Sequence, residues 1–418
     1  MFPALHNSQG IEKSNIDLLR CIKCQGNFKY REFTINFALL SCFCNTYPLV
    51  EGILYLHNSN LRKNSLHHLW KRDFQQATKT LLGSRRIILF FLAFFLFPNV
   101  INSLIKTLLN RNIYQLLGFE NVVKIITPLV YDKPWAWYIM NRKKMPYYFT
   151  SLATTNVLMD YKAKVIDVGC GTGQLLHSLS QKIKPQNIFG IDNSFLTLLL
   201  ARRFFASPNT LLICTDIEKG LPFKERSIDF VLSTDSFHYL SKKYFFFKEA
   251  LRVMKKDAIL AVLHIVNSTK TVFGNVKGIT PITLSAMLRN AGYQQYVLYS
   301  NTDMWEALKS NTPLRLNSPW FIHLLKNTFA YGFFASKNIL EGTVKLTSIE
   351  YAKFKKTSID FSRDKALLNE LGIRRLIRNY DHFIFISPHL DDAVLSCCLL
   401  LENLKEANKQ VSIITVFT

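Results

Sequence analysis

Between Lys164 and Ala335, short apolar runs rich in β-branched residues alternate with helical patterns, as a parallel sheet with crossover helices requires. The runs are Lys164–Val168, Ile188–Asp192, Leu211–Cys214, Asp229–Ser233 and Ala258–Ile265, with Gln294–Tyr299 and Thr328–Ala335 as a terminal, hairpin-like pair. The expected fold is therefore α/β: a Rossmann-like sheet with helices on both faces. Immediately after the first run stand Gly169, Gly171 and Gly173, three glycines at alternate positions. They allow a tight turn and let a ligand approach the backbone with no Cβ in the way. Asp192 ends the second run, where a carboxylate can accept from both ribose hydroxyls, and Asp216 follows the third run at the same sheet edge. The spacing is G-x-G-x-G behind Asp167, not the G-x-G-x-x-G of pyrophosphate-binding loops, which argues against a nicotinamide cofactor.

This pattern resembles the class I S-adenosylmethionine-dependent methyltransferases, particularly the small-molecule and quinone-biosynthesis type. The resemblance covers about half of the chain. It implies that Asp167 with Gly169, Gly171 and Gly173 holds the methionine end of the cofactor, Asp192 its ribose, and Asp216 with Ile217 the adenine edge. Tyr131-Asp132 with Tyr138 is similar to the entry segment over the cofactor. Ser227 to Val231 followed by Phe237-His238-Tyr239-Leu240 looks like the fourth strand and its loop, and Glu249 to Lys255 like the helix before strand five. Lys256-Asp257-Ala258 stands where the family commonly has a Pro-Gly-Gly turn. Methyl transfer from a sulfonium needs mainly alignment and proton removal, so few catalytic side chains are required. His238 is the candidate base, since it follows strand four at the acceptor's edge; a packing role is its alternative, and Asp235 and Tyr239 are weaker candidates. Ser233-Thr234-Asp235-Ser236 replaces the Asn/Asp-Pro-Pro-Tyr signature of many nucleic-acid amino-methyltransferases, which makes base amino groups poorer acceptors.

A chain of 418 residues exceeds one ordinary hydrophobic core, so several domains are expected. The sequence divides into a cysteine-containing segment (17–58), an aromatic-rich helical connector (59–112), the methyltransferase-like domain (113–338), a polar linker (339–378) and a C-terminal α/β unit (379–418). With 49% hydrophobic and 19% charged residues the chain is mostly globular, not disordered. The formal net charge of +23 favours anionic partners without choosing among nucleic acid, membrane and anionic glycolipid. Ile87 to Phe97 is an unbroken apolar run of 11 residues, too short for a bilayer core, which takes roughly 20 in a helix. A buried helix or an interfacial hairpin fits it better, which keeps peripheral membrane contact open. Met1 to Gly10 lacks the features of a secretory leader, so a reducing cytoplasm is the expected setting.

Cys21, Cys24, Cys42 and Cys44 offer four soft ligands in a short segment, suited to a tetrahedral structural zinc. With Tyr47 to Ile53 they resemble the zinc ribbon of the tRNA-methyltransferase activator proteins, except that the second pair is C-x-C with Ser41 at the missing place. Zinc and a metal-free ribbon with packed thiols both remain open, and either role is structural or docking. At the other end, Phe383–Ile386 runs into Ser387-Pro388-His389-Leu390-Asp391-Asp392-Ala393. This resembles the PIG-L/LmbE zinc-dependent deacetylases, and the match implies His389 and Asp392 as zinc ligands and Asp391 as general base. It covers about the last 40 residues, and the family's third ligand lies further downstream; the expectation is a truncated, inactive deacetylase start.

The leading functional reading is a methyltransferase using S-adenosylmethionine on a small-molecule or glycan-linked acceptor. An rRNA or tRNA methyltransferase with a zinc ribbon is the second reading, and a non-catalytic scaffold at a membrane surface the third. The oligomeric state is not legible.

Overall fold

The computed structural model describes residues 11, 13–82, 118–124, 133–142, 145–157, 161–268, 271–272, 276–315, 330–338, 340, 343–345, 381–387, 404–405 and 408–415. Its residues cluster into two units, Met1–Ser348 and Ile349–Thr418.

The first unit is organised on one eleven-stranded sheet. In chain order its strands are β1 (Lys29–Thr34), β2 (Phe37–Ser41), β3 (Thr46–Val50), β4 (Ile53–Tyr55), β5 (Val165–Val168), β6 (Ile188–Asp192), β7 (Leu211–Cys214), β8 (Ile228–Thr234), β9 (Met254–Val266), β10 (Gln295–Ser300) and β11 (Ala330–Ser336). Their order across the sheet is β1-β2-β3-β4-β7-β6-β5-β8-β9-β11-β10. From β4 to β9 all neighbours are parallel. These strands are buried at nearly every position because crossover helices cover both faces, which is why they read as continuous apolar runs without alternation. The order reverses at β5, where one connection leads towards β6 and the other towards β8; ligands of open α/β sheets bind at such switch points.

The two late runs do form an antiparallel pair at the sheet's far edge, β11 lying between β9 and β10. The Lys256-Asp257-Ala258 segment is not a turn. The chain passes from the helix Lys243–Val253 directly into β9, whose first residues pair with β8 through a register shift between Ile228 and Phe230. Lys255 and Asp229 bridge this irregularity at 2.8 Å. Helix ends carry their own signals. Ser194 caps the helix Phe195–Phe204, and Ser300 and Asp303 form a reciprocal capping box on the helix Asn301–Ser310.

The N-terminal segment extends the same sheet. β1 to β4 form an antiparallel meander, and β4 then runs parallel to β7 with Tyr55 opposite Cys214. The meander is brought to that edge by the two-residue turn Glu51-Gly52, both residues having positive φ (55° and 70°), the geometry that matches strand twist in tight hairpins. Glu51 lacks glycine's freedom in this region. Its conformation is held by Arg203 of the helix Phe195–Phe204, 3.2 Å from the Glu51 carboxylate and buried with it, while Arg202 donates to the Gly52 carbonyl at 2.9 Å.

In the second unit, β12 (His382–Ser387) runs parallel to β13 (Gln410–Thr415) in register His382↔Gln410 to Ser387↔Thr415. The expected strand Phe383–Ile386 is thus present and one residue longer at each end. Among the described residues no helix is long and apolar enough to cross a membrane; Ile87 to Phe97 lies outside them.

Candidate functional site

The turn after β5 is built by conformations that L side chains rarely adopt: Gly169, Gly171 and Gly173 have φ of 74°, 55° and 85°. Gly169 and Cys170 both donate to the Ile191 carbonyl, at 2.8 and 3.0 Å, which locks the turn against β6. A Cβ on Gly169 would lie 2.4 Å from the Ser236 Cβ, and one on Gly173 2.9 Å from the Ala201 Cβ. At Gly171 nothing lies within 4 Å of that position, so the backbone there presents an open face.

Carboxylates surround this face. Asp192 accepts from the Gly171 N–H at 3.1 Å through Oδ2 and from the Ser194 N–H at 2.9 Å through Oδ1, and each oxygen retains a further acceptor position. Burial raises its carboxyl above the usual range, opposed by those N–H donors. Asp167 is 1% exposed and its Oδ2 has no partner. Burial pushes it up to about 7, with the Arg142 guanidinium opposing and Asp192 adding to the shift. Asp216 caps the short turn Ile217–Lys219, accepting from the Glu218 N–H at 3.1 Å, and meets the Lys219 ammonium at 3.3 Å. The Thr215 N–H donates to the Asp192 carbonyl at 3.0 Å, so the ends of β6 and β7 stay side by side. The residues singled out at these ends, Asp167, Gly169, Gly171, Gly173, Asp192, Asp216 and Ile217, thus all sit at the C-terminal edge of β5, β6 and β7. An orphaned carboxylate oxygen beside an open glycine turn suits a cationic, nucleoside-bearing ligand.

His238 lies in the turn Phe237–Tyr239 beyond β8, 6% exposed, with its Nδ1 unpartnered. Burial lowers its pKa, so the ring is neutral at pH 7. Beside it is a polar cluster of which Tyr138 and Asp235 had drawn notice in the sequence and the rest had not. The Tyr138 hydroxyl donates to Asp235; the Arg142 guanidinium donates to the Thr234 hydroxyl at 3.3 Å and lies 5.7 Å from the Tyr138 ring; its Nε has no partner. His264, near the end of β9, contacts the Ser151 hydroxyl at 2.9 Å through Nε2, while its Nδ1 is unpartnered and burial holds it down at about 4. Asp235 and His264 both have positive φ, 59° and 60°, the backbone strain that collects at ligand sites. The polar His264 inside the apolar run Leu260 to Val266 was the available sequence signal. Arg142 had none, because only the docking of the helix Lys133–Asn141 carries it to β8.

The four N-terminal thiols converge. Cys21, Cys24, Cys42 and Cys44 lie within 4.8 Å of one another, with Cys44 Sγ 3.6 Å from both Cys21 and Cys42. The C-x-C spacing reaches the same point as C-x-x-C because Cys42 N–H donates to the Asn45 carbonyl and closes the second knuckle tightly. The Gly26 N–H lowers Cys24 to about 6, and hydrogen bonds from the other thiols add to this. His389, Asp391 and Asp392, and also Tyr131 and Asp132, lie outside the described residues.

Residues 166–262 match the family model described as a methyltransferase domain. This part of the chain is thus similar to methyltransferase domains. The chain is 38% identical over 92 residues to a malonyl-[acyl-carrier protein] O-methyltransferase of Marinomonas sp., a match covering 22% of the chain and 34% of that protein. It is 27% identical over 123 residues to the enzyme of the same description from Priestia megaterium, covering 29% and 44%, and 31% identical over 98 residues to a trans-aconitate 2-methyltransferase of Escherichia coli, covering 23% and 37%. The chain thus spans less than half the length of these relatives. Similar solved structures include a methyltransferase of Thermotoga maritima (18% identity, TM-score 0.35, 51% of this chain and 99% of that one) and one of Aquifex aeolicus (18%, 0.32, 47% and 98%).

Proposed function

We propose that this chain binds S-adenosylmethionine across the Gly169–Gly173 turn and methylates a carboxyl oxygen of a small-molecule acceptor. The observation that carries the reading is the Asp192 carboxylate, which grips Gly171 N–H and Ser194 N–H and keeps acceptor capacity beside the open face of Gly171. In this reading Asp167 meets the cofactor's ammonium group, Asp192 its ribose, and Asp216 with Ile217 its adenine edge. When bound, the cofactor supplies a methyl group on a positively charged sulfur. The chain has to bind, orient and keep water out. Arg142, with its unpartnered Nε among Tyr138, Thr234 and Asp235, is the group that receives an acceptor carboxylate. A carboxylate oxygen needs no proton removed, so a neutral, buried His238 serves as a wall of the acceptor pocket and not as its base. The acids named in the descriptions of the relatives support this choice of acceptor. The test is methyl transfer from labelled cofactor to a panel of small dicarboxylates, acyl-carrier thioesters, glycans and RNA. Base-labile label on a carboxylate is the expected product; label only on RNA or glycan overturns the acceptor.

Asp167 gives this reading a pH signature. Its carboxyl, raised to about 7 by burial, must be ionised to meet an ammonium group, so binding below pH 7 has to expel a proton. Affinity for S-adenosylhomocysteine should rise from pH 6 to pH 8, with up to about tenfold lost per pH unit below the pKa. Calorimetry at three pH values checks this, and a flat profile refutes the role.

We further propose that the four thiols hold one zinc ion. A tetrahedral ion with Zn–S near 2.3 Å sets the sulfurs about 3.8 Å apart, close to the 3.6 Å found between Cys44 and two of its neighbours. The ion would be structural, since four thiolates leave it no open position. Metal analysis should find about one zinc per chain. Removal with a strong chelator should lower the unfolding midpoint, while a zinc content of zero after purification without chelator excludes the site.

A further inference from the structure

A tyrosine and a buried arginine stand next to the four thiols. Tyr47, the second residue of β3, is 6% exposed and packs edge-on against Phe28 at 5.9 Å. Its hydroxyl lies 3.8 Å from the Sγ of Cys21, which is itself buried. Over the Tyr47 ring, with Cζ 5.1 Å from the centroid, stands the Arg62 guanidinium. Arg62 belongs to the first turn of the helix Asn60–Trp70. Its backbone N–H donates to the capping Ser59 hydroxyl at 3.3 Å, and Ser59 in turn meets the Tyr55 hydroxyl at 3.2 Å. The residue is 5% exposed, and neither Nε nor Nη1 of its side chain has a hydrogen-bond partner. A buried cation in that state is costly unless negative charge faces it.

We propose that Tyr47 and Arg62 are positioning residues of the metal centre: the hydroxyl donates to the Cys21 thiolate, and the guanidinium over the ring balances the negative charge of the loaded site. Four thiolates around a divalent ion leave the centre net anionic. A thiolate has no proton to give, so once Cys21 is a ligand only the Tyr47 O–H can donate in this pair. At the second knuckle the Asn45 amide donates to Cys44 Sγ at 3.5 Å, so each half of the site receives a side-chain donor. Arg62 finds its counter-charge only when the metal is bound, and in a low-dielectric interior that attraction acts without direct contact. The inference rests on the zinc assignment argued above and adds to it two residues that are not themselves ligands.

The experiment is competition for zinc between the full chain and a chromophoric chelator, for wild type, Tyr47→Phe, Arg62→Met and Arg62→Lys, with unfolding midpoints of the metal-free proteins alongside. Tyr47→Phe keeps the ring beneath Arg62 and removes only the hydroxyl; its zinc affinity should fall about tenfold. Arg62→Met should also lose about tenfold in affinity, while its metal-free midpoint stays level or rises because an uncompensated buried charge is gone. Arg62→Lys keeps the charge and should stay within about threefold of wild type. Zinc affinity within about twofold of wild type in Tyr47→Phe or in Arg62→Met overturns the role given to that residue. A lowered metal-free midpoint in Arg62→Met with no recovery of affinity in Arg62→Lys overturns it as well, since the side chain would then be a space filler. Absence of zinc binding by the wild type overturns instead the zinc assignment on which the proposal rests. Should Arg62→Met fail to fold, Arg62→Gln and Arg62→Lys decide between the same alternatives.

Discussion

Asp192→Ala should abolish measurable binding of S-adenosylhomocysteine, weakening it by about a hundredfold or more. Two hydrogen bonds to an ionised carboxylate contribute about 1.5–3 kcal/mol each, and every 1.4 kcal/mol is a factor of about ten. Asp192 also accepts from the Gly171 and Ser194 N–H groups, at 3.1 and 2.9 Å, so alanine removes the tie between the glycine turn and the helix Phe195–Phe204. Asp192→Asn, which keeps one acceptor oxygen, should lose about tenfold. Calorimetry of the three proteins, with unfolding midpoints to show that each is folded, makes the comparison. Binding by the alanine variant within about threefold of wild type would end the assignment of Asp192 to the ribose.

Arg203→Ala should give the largest stability loss of any single substitution in the N-terminal attachment, about 3–5 kcal/mol, because it leaves the Glu51 carboxylate buried without the cation that faces it. The pair is 3.2 Å apart, with side chains 5% and 11% exposed. It also holds Glu51 at φ 55°, a backbone conformation that a non-glycine residue adopts at a cost of about 1–3 kcal/mol. The double substitution Glu51→Gln with Arg203→Met should recover much of the loss, since it removes both charges together. Denaturant unfolding of the wild type, both single variants and the double variant measures the coupling. A loss under about 1 kcal/mol in Arg203→Ala would mean that the pair is not what anchors the meander.

The parallel sheet was legible because its strands are buried on both faces. Burial of that kind writes itself as unbroken apolar runs such as Ile188–Asp192 and Leu211–Cys214, and the seven runs from Lys164 to Ala335 correspond to β5 to β11 within a few residues. The largest difference is at β9, which begins at Met254 and not at Ala258; Met254 is buried and pairs with Ile228, but the polar, exposed Lys255, Lys256 and Asp257 that follow it interrupt the apolar signature. The glycine turn was legible for a second reason. Positive φ at Gly169, Gly171 and Gly173 is a demand on single residues, visible wherever glycine meets it. By contrast, nothing local distinguished Arg142 from any solvated cation; it acquires meaning only from a partner far along the chain, Thr234.

The sequence by itself determined the α/β class, the place and shape of the glycine turn, the carboxylates at the strand ends and the four clustered thiols. These follow from burial periodicity, backbone sterics and ligand chemistry, which act over a few residues at a time. Tertiary structure alone decided that the cysteine-bearing meander joins the central sheet as its edge, and that Arg142, Asp235 and His264 meet in one polar cluster. Strand pairing and helix docking between distant segments are set by the sum of many weak contacts over the whole core, and no short stretch of sequence encodes that sum.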